Sequence, residues 1–275
     1  MNGKDKTELE VMICAYGADG LRRIACNAHP QLPGVRYLVS WQPAGADISA
    51  IPAEIVTRPD FVVHITDSKG LSRNRNNALE HATAPLLLIS DDDVSYTADG
   101  LKAVLAFFSG NPECDVATFR YESAGAPKWF PVSSFDLRKP AKGFFVTSFE
   151  IALRRSILQR TGVRFNERFG INSEFIAGEE DIFIHQLLKN GARGYYVPTV
   201  ICRHDGDTTC DRMGREGAFI RVKGAVFTLT HPLTWPLRML VHAHRERHRF
   251  PGGVVAYCRA WLSGARAARD SRIFK

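Results

Sequence analysis

An open α/β sheet, mixed but mostly parallel and flanked by helices, is the fold class that this 275-residue sequence predicts. Three observations carry that expectation. Strand-like apolar runs alternate with helical stretches from residue 9 to residue 121, the signature of an α/β layer architecture. Residues 85–90 (PLLLIS) form a continuous apolar run, which suits a central parallel strand covered on both faces. That run breaks off into Asp91-Asp92-Asp93, and open α/β sheets bind ligands beyond the carboxyl ends of their strands.

Taken in order, residues 9–16 (LEVMICAY) read as a buried first strand, followed by a turn at 17–20 and a short helix over 20–28. Residues 35–41 and 61–65 are the second and third strands, with a Pro/Gly/Ala-rich stretch at 43–53 between them. Ser72 is placed to cap a helix over 73–82. A helix over 99–109 and a strand over 115–121 come next. Residues 128–150, rich in Phe, Pro and Lys, read as irregular with a strand near 144–149, before a helix over 150–160. Residues 165–179 are loop-like. A helix over 180–190 is closed by Gly191, and a last strand over 194–201 runs toward His204.

Composition is ordinary for a globular chain, with 45% hydrophobic and 24% charged residues. The net charge of +7 is unevenly spread. Residues 212–275 hold thirteen Lys/Arg against Glu216, Glu246 and Asp270, a net +10, which leaves the remainder near −3. An acidic body with a basic tail differs from a nucleic-acid binder, whose basic face should lie on the main domain. The organisation expected is a disordered lead-in at 1–8, a catalytic domain at 9–210 and a basic helical extension at 211–275. Six cysteines without a C-x-x-C pair point to a reducing, cytoplasmic setting. The polar opening and the lack of any apolar run of about 18 residues lead to the expectation of no leader and no membrane span.

Asp91, Asp92 and Asp93 repel one another unless a cation neutralises them, and carboxylates with phosphate oxygens are a natural shell for Mg2+ or Mn2+. A solvated acidic turn is the plainer alternative. Gly178-Glu179-Glu180-Asp181 is a second acidic cluster at a loop-to-helix junction, where carboxylates are also favoured simply by the helix N-terminus. Asp181 fits a catalytic base if this loop faces the triplet. His204 is a candidate metal ligand or a surface histidine at a strand end. Cys202, His204 and Cys210 match no usual zinc spacing. Arg75 lies in the first turn of its helix and suits a phosphate or nucleobase contact, or a solvated helix face.

The chain-wide series is a strand ending Cys-Ala-Tyr, then GLSRNRNNAL, a strand into Asp-Asp-Asp-Val, then FNERFG, GEEDIF, NGAR, YVP and Arg-His. In this order and spacing, across about residues 9–205, it resembles the family-two glycosyltransferases, which have the GT-A fold. The resemblance implies an inverting transferase that takes a sugar from a nucleotide-sugar donor, with a uridine nucleotide favoured, and delivers it to a hydroxyl of a glycan or lipid-linked acceptor in cell-surface glycan synthesis. Mn2+ or Mg2+ is the implied cofactor. Carried over by position, Asp93 is the expected metal ligand, with His204 and Asp91 beside it. Asp91 and Asp92 are also expected to contact the donor, Arg75 to lie near the nucleotide, Ala15 and Tyr16 to line the nucleobase pocket, and Asp181 to act as general base. One departure stands out. The second strand ends in Ser40-Trp41-Gln42, where such enzymes often carry a base-reading carboxylate.

Two other classes compete. A metal-dependent sugar-phosphate nucleotidyltransferase would also need carboxylates and a divalent ion, but residues 14–20 lack the Lys or Arg of a phosphate-gripping loop. A non-catalytic nucleotide-sugar binder is the other. In the tail, Pro232 and Pro236 interrupt the apolar stretch 225–243. A helix over 254–269 places Val254, Cys258, Trp261 and Ala265 on one face, fit either for an anionic membrane surface through 225–275 or for packing on the chain's own domain.

Overall fold

The structure is a computed structural model that describes residues 6–125, 128–206, 217–248, 250 and 252–270. The start of the expected lead-in (residues 1–5), Cys210 and the expected domain boundary at 210–211 lie outside the described residues. Three parallel strands, β1 (Leu9–Tyr16), β2 (Val35–Gln42) and β3 (Phe61–Ile65), form one half of the sheet. β4 (Leu86–Asp91) lies parallel on the other side of β1. The chain therefore builds outward from β1 to β3 and then returns to the far side of β1. That reversal makes the β1/β4 seam the switch point where an α/β sheet opens a crevice.

The second half is mixed. β8 (Ile151–Arg154) pairs antiparallel with both β4 and β6 (Val116–Glu122), and β9 (Gly194–Arg203) runs parallel to β6. Two short strands, β5 (Ser95–Tyr96) and β7 (Phe135–Asp136), pair antiparallel with β9. Strand order is β3-β2-β1-β4-β8-β6-β9-β5. β4 sits in the middle, with Leu87 and Leu88 fully buried and Ile89 at 1% exposure, as its uninterrupted apolar run requires. Around the sheet lie α1 (Gly17–Cys26), α2 (Ala53–Val56), α3 (Leu71–His81), α4 (Ala98–Gly110), α5 (Arg155–Thr161) and α6 (Glu179–Lys189).

Two local expectations are corrected. Ser72 does not cap α3. Gly70 holds the cap position at φ 109°, and the Ser72 hydroxyl is buried and donates to the Phe169 carbonyl at 2.6 Å. The strand near 144–149 and the helix over 150–160 are displaced as well. A 3-10 turn at Ser148–Glu150 leads into β8, and α5 begins only at Arg155. Ile151, Ala152 and Leu153 are apolar enough for either element, but the gap between β4 and β6 needs a strand, and tertiary context overrides propensity.

The tail forms three helices: α7 (Gly217–Thr230), α8 (Trp235–Glu246) and α9 (Gly253–Arg269). α7 and α9 cross at two glycines. A Cβ on Gly224 would sit 2.0 Å from the Trp261 carbonyl oxygen, and one on Gly264 would sit 1.8 Å from that of Arg221. Both obstacles are backbone. Gly264→Ala should therefore destabilise the helix pair by about 1–3 kcal/mol or more, and an unchanged thermal midpoint would show that the helices can move apart freely. The stripe of α9, whose pattern fits a membrane surface or packing on the chain's own domain, is mostly spent inside the protein. Trp261 and Ala265 are buried, with Trp261 stacked on Phe227, whereas Val254 is 42% exposed. The buried stripe runs instead through Tyr257, Trp261, Gly264, Ala265 and Ala268.

α7 also packs on the loop before α6 and on α6 itself. Val222 and Val226 pack with Phe169, Phe175, Ala177 and Ile182 in a second apolar cluster. A Cβ on Gly178, at φ 93°, would lie 2.5 Å from Val226. Only glycine lets the chain turn into α6 while pressed on α7.

Candidate active site

At the carboxyl ends of β1 and β4 opens a cavity of about 420 Å³, lined by residues that include Cys14, Ala15, Tyr16, Gln42, Asn74, Arg75, Asp91, Asp92, Asp93, Ser148, Phe149, Glu179, Glu180 and His204. Register places Cys14 of β1 directly opposite Asp91 of β4. Burial pushes the Cys14 thiol up to about 12, so it is an apolar lining group rather than a nucleophile.

Each member of the triplet has its own restraint. Asp91 accepts from Arg75 at 2.9 Å and from the Ser148 hydroxyl at 2.7 Å. Asp92 is gripped by both arms of Arg23, each at 2.8 Å. Gly20 permits this, because a Cβ there would come within 2.7 Å of the Asp92 carboxylate. Asp92 borders the cavity, but its oxygens are committed to Arg23, which weakens the expectation that it contacts a donor. Asp93 faces the His204 Nε2 at 3.3 Å.

The Asp93–His204 pair depends on an element without a visible sequence signal. β5 is two residues long, and its pairing of Ser95 with Arg203 and Tyr96 with Cys202 draws the end of β9 to the triplet. His204 is then fixed by its backbone N–H on the Glu122 carbonyl and by stacking on Phe149 at 4.9 Å. The hydrogen bond to Asp93 holds the imidazole above its usual pKa. Burial pushes Asp93 up, but the bond and charge of His204 outweigh it and leave the carboxyl below its usual value.

Arg75 joins the two acidic clusters. It is 2% exposed, with one guanidinium nitrogen on Asp91 and the other on Glu179 at 2.7 Å. A single side chain thus bridges the end of β4 and the start of α6. α3 carries this arginine, and the loop at 165–173 clamps α3 in place. Asn76 exchanges hydrogen bonds with the backbone of Phe165, and Leu71 N–H donates to Ile171. Phe165 in turn stacks on Phe183 of α6 at 4.1 Å. Ala15 presents its carbonyl to Asn74 at 3.0 Å, and Tyr16 stands 45% exposed at the rim. Gln42, at the end of β2, is tied through its amide to Ser68 and the Gly70 carbonyl.

At the start of α6 the structure separates neighbouring carboxylates. Glu179 and Glu180 line the cavity; Asp181 is not among the lining residues and its side chain is exposed. Oε2 of Glu179 and Oε2 of Glu180 are buried without a hydrogen-bond partner. Burial, then the charge of Glu179, holds Glu180 well above the usual carboxylate range. The protein packed around Asp181, with Glu179, lifts that carboxyl to about 6 despite the solvent contact of its side chain. Sequence reasoning also missed Arg23, Ser148 and Phe149. Of the aromatic segment, Phe135 and Phe144 pack on Tyr196, whereas Trp129 and Phe145 are exposed.

Among the described residues no three His, Cys, Asp or Glu side chains converge as a metal site. The Asp93–His204 pair nonetheless suits a hard divalent ion. Adjacent ligands of an octahedral ion with ~2.1 Å bonds stand about 3 Å apart, and such ions take few protein ligands when phosphates and water supply the rest. The Glu179 Oε2, buried without a partner on the same cavity, is a further acceptor that a hydrated cation could satisfy.

Comparison with known proteins agrees with this geometry. A search of curated proteins finds no match. Among solved structures, S. aureus TarS in a complex with UDP-GlcNAc superposes with a TM-score of 0.60 at 15% identity, over 87% of this chain and 72% of that one. The mannosyltransferase PcManGT from Pyrobaculum calidifontis, in a complex with GDP-Man and Mn2+, gives 0.56 at 15% identity, over 97% and 76%. A longer TarS structure gives 0.59 at 17% identity over 88% of this chain, which spans only 44% of its length. At these identities the likeness establishes the fold. The model of "Glycosyl transferase family 2" matches residues 54–174, the segment that holds Arg75 and the aspartate triplet. That match covers residues 54–174, and together with a sheet of GT-A type it makes this segment similar to the family 2 glycosyltransferases.

Proposed function

We propose that this chain transfers a sugar from a nucleoside-diphosphate donor to an acceptor hydroxyl, with inversion at the anomeric carbon. The observation that carries this reading is the Arg75 bridge, which gathers the carboxylates of a strand end and a helix start around one cavity. The switch-point position suits a nucleotide, with Tyr16, Ala15 and Gln42 at the base end and the triplet at the diphosphate end. Asp93 and His204, with Asp91 adjacent, would hold Mn2+ or Mg2+; when bound, the ion neutralises the charge that develops on the leaving diphosphate.

The base is assigned to Glu180 rather than Asp181. Glu180 lines the cavity and has a buried oxygen without a partner. It takes the proton of the acceptor hydroxyl as that oxygen bonds to the anomeric carbon. The bond from carbon to diphosphate oxygen breaks, and the nucleoside diphosphate leaves. One displacement from the opposite face inverts the centre. UDP-sugars are the first donors to try, since TarS is seen with UDP-GlcNAc, and GDP-sugars the second, since PcManGT is seen with GDP-Man. Glycan or lipid-linked hydroxyls, as in cell-surface glycan synthesis, are the acceptor class.

A panel of nucleotide sugars incubated with the protein and Mn2+ should release free nucleoside diphosphate from one donor class. EDTA should stop that release and added Mn2+ restore it. No release from any donor, with binding retained, would favour a non-catalytic nucleotide-sugar binder. Release of pyrophosphate from a nucleoside triphosphate and a sugar phosphate would favour a nucleotidyltransferase.

A further inference from the structure

The helix α8 is apolar on two opposite faces, and only one of them is covered. Trp235, Met239 and Ala243 point inward and are buried. Leu233, in the turn before the helix, and, on the other side of the helix, Leu237, Leu240 and Val241 are exposed by 93%, 65%, 57% and 41%. At about 100° per residue the last three fall within one stripe roughly 100° wide. Val254 and Val255, exposed by 42% and 63%, follow at the start of α9. So many exposed large aliphatics on adjoining segments exceed the scattered exposure that a monomer's surface normally shows.

The charge around this stripe has one sign. Arg238 and Arg245 project on one flank and Arg247 on the other, all exposed. From residue 217 to residue 270 the only acidic residues are Glu246 and Asp270. Glu246 falls on the side of α8 away from the stripe. Arginines of the catalytic body such as Arg22, Arg58 and Arg164 are paired with carboxylates. Among the described residues, Arg238, Arg245 and Arg247 form no carboxylate salt bridge. Arg238 donates to the Thr234 hydroxyl and overlies the Phe227 ring, and Arg247 contacts His244.

A helix with an aliphatic stripe between cationic flanks, too short and too charged to span a bilayer, lies in the plane of an anionic interface. Among the described residues no helix is long and apolar enough to cross a membrane. A second copy of the chain is the weaker occupant, because a two-fold contact through this face would bring the arginines of both copies together without a counter-charge. We propose that the outer face of α8, through Leu233, Leu237, Leu240 and Val241 with Arg238, Arg245 and Arg247, docks on a bilayer surface that carries anionic lipid. Within residues 225–275 this surface is the outer face of α8 and not the stripe of α9, whose pattern fits a membrane or the chain's own domain alike. It does not depend on the catalytic reading.

Flotation of the full chain with vesicles tests it. The protein should float with phosphatidylcholine vesicles containing about 30% phosphatidylglycerol and remain at the bottom with phosphatidylcholine alone. Raising salt to about 0.5 M should weaken binding. Leu237→Ser/Leu240→Ser should lower the partition coefficient at least tenfold, and Arg238→Gln/Arg245→Gln/Arg247→Gln should abolish the preference for anionic vesicles. Both variants change exposed side chains and should keep the parent melting temperature. The proposal is overturned if the parent protein binds neither vesicle, or if both folded variants bind as the parent does. It is also overturned if the parent is a dimer that Leu237→Ser/Leu240→Ser converts to monomer without any vesicle binding.

Discussion

Glu180→Gln lowers the turnover number by about 10²- to 10⁴-fold, the range a positioned general base contributes, and leaves donor affinity close to that of the parent. The substitution keeps the shape of the side chain and removes only its ability to take a proton. Because the lost interaction is made in the transition state, kcat and kcat/KM should fall together. Asp181→Asn is the matched control. Asp181 is exposed and outside the cavity lining, so this variant should retain most of the rate. The reverse result, with Asp181→Asn inactive and Glu180→Gln active, would return the base to the position first expected. The pH profile adds a second reading. Burial and Glu179 hold Glu180 above the usual carboxylate range. A base works deprotonated, so activity is present above that raised value and is lost as pH falls through it. The acid limb should therefore lie at higher pH than an ordinary glutamate would give, and Glu180→Gln should remove it from the residual rate.

The choice between Asp181 and Glu180 marks one limit of what the sequence makes legible. The acidic cluster was visible as a string of letters, but its phase on the helix decides which carboxylate faces inward. Glu180 is followed four residues later by buried Ile184, whereas Asp181 is followed by half-exposed His185. That periodicity is present in the sequence and favours Glu180, whereas the resemblance to the family motif favours Asp181. The parallel half of the sheet, β1 to β3, is legible because each strand is a separate apolar run, and β4 shows its central place by having no polar face. β8 is not, since a four-residue apolar segment suits helix and strand alike. β5 could not be read at all. Two residues carry no period, yet their pairing with β9 brings His204 to Asp93. Arg23 was equally hidden: it lies on an ordinary amphipathic helix, and its role follows only from the turn of Asp92 over Gly20. Residues that act through long-range pairing leave no local trace.

Arg75→Ala should be the most destabilising single change in the site. The guanidinium is buried, and it is the shared counter-charge of Asp91 and Glu179. Burial alone would disfavour its charge, but the two carboxylates more than offset this and hold its pKa above the usual arginine value. Truncation leaves Glu179, 4% exposed, without its cation and with its second oxygen already unpaired. Breaking a buried pair in this way costs about 3–5 kcal/mol, which urea or thermal unfolding would register. Arg75→Lys should not rescue it, because one ammonium cannot place two forked nitrogens on two carboxylates at once. The argument rests on stranded charge rather than lost volume, and a second substitution separates these. Arg75→Met/Glu179→Gln should be more stable than Arg75→Met alone, since the neutral amide no longer needs a cation. If the double variant is no more stable, the role of Arg75 is packing against Phe165, which it overlies at 5.4 Å, and the electrostatic bridge is not what joins α3, β4 and α6.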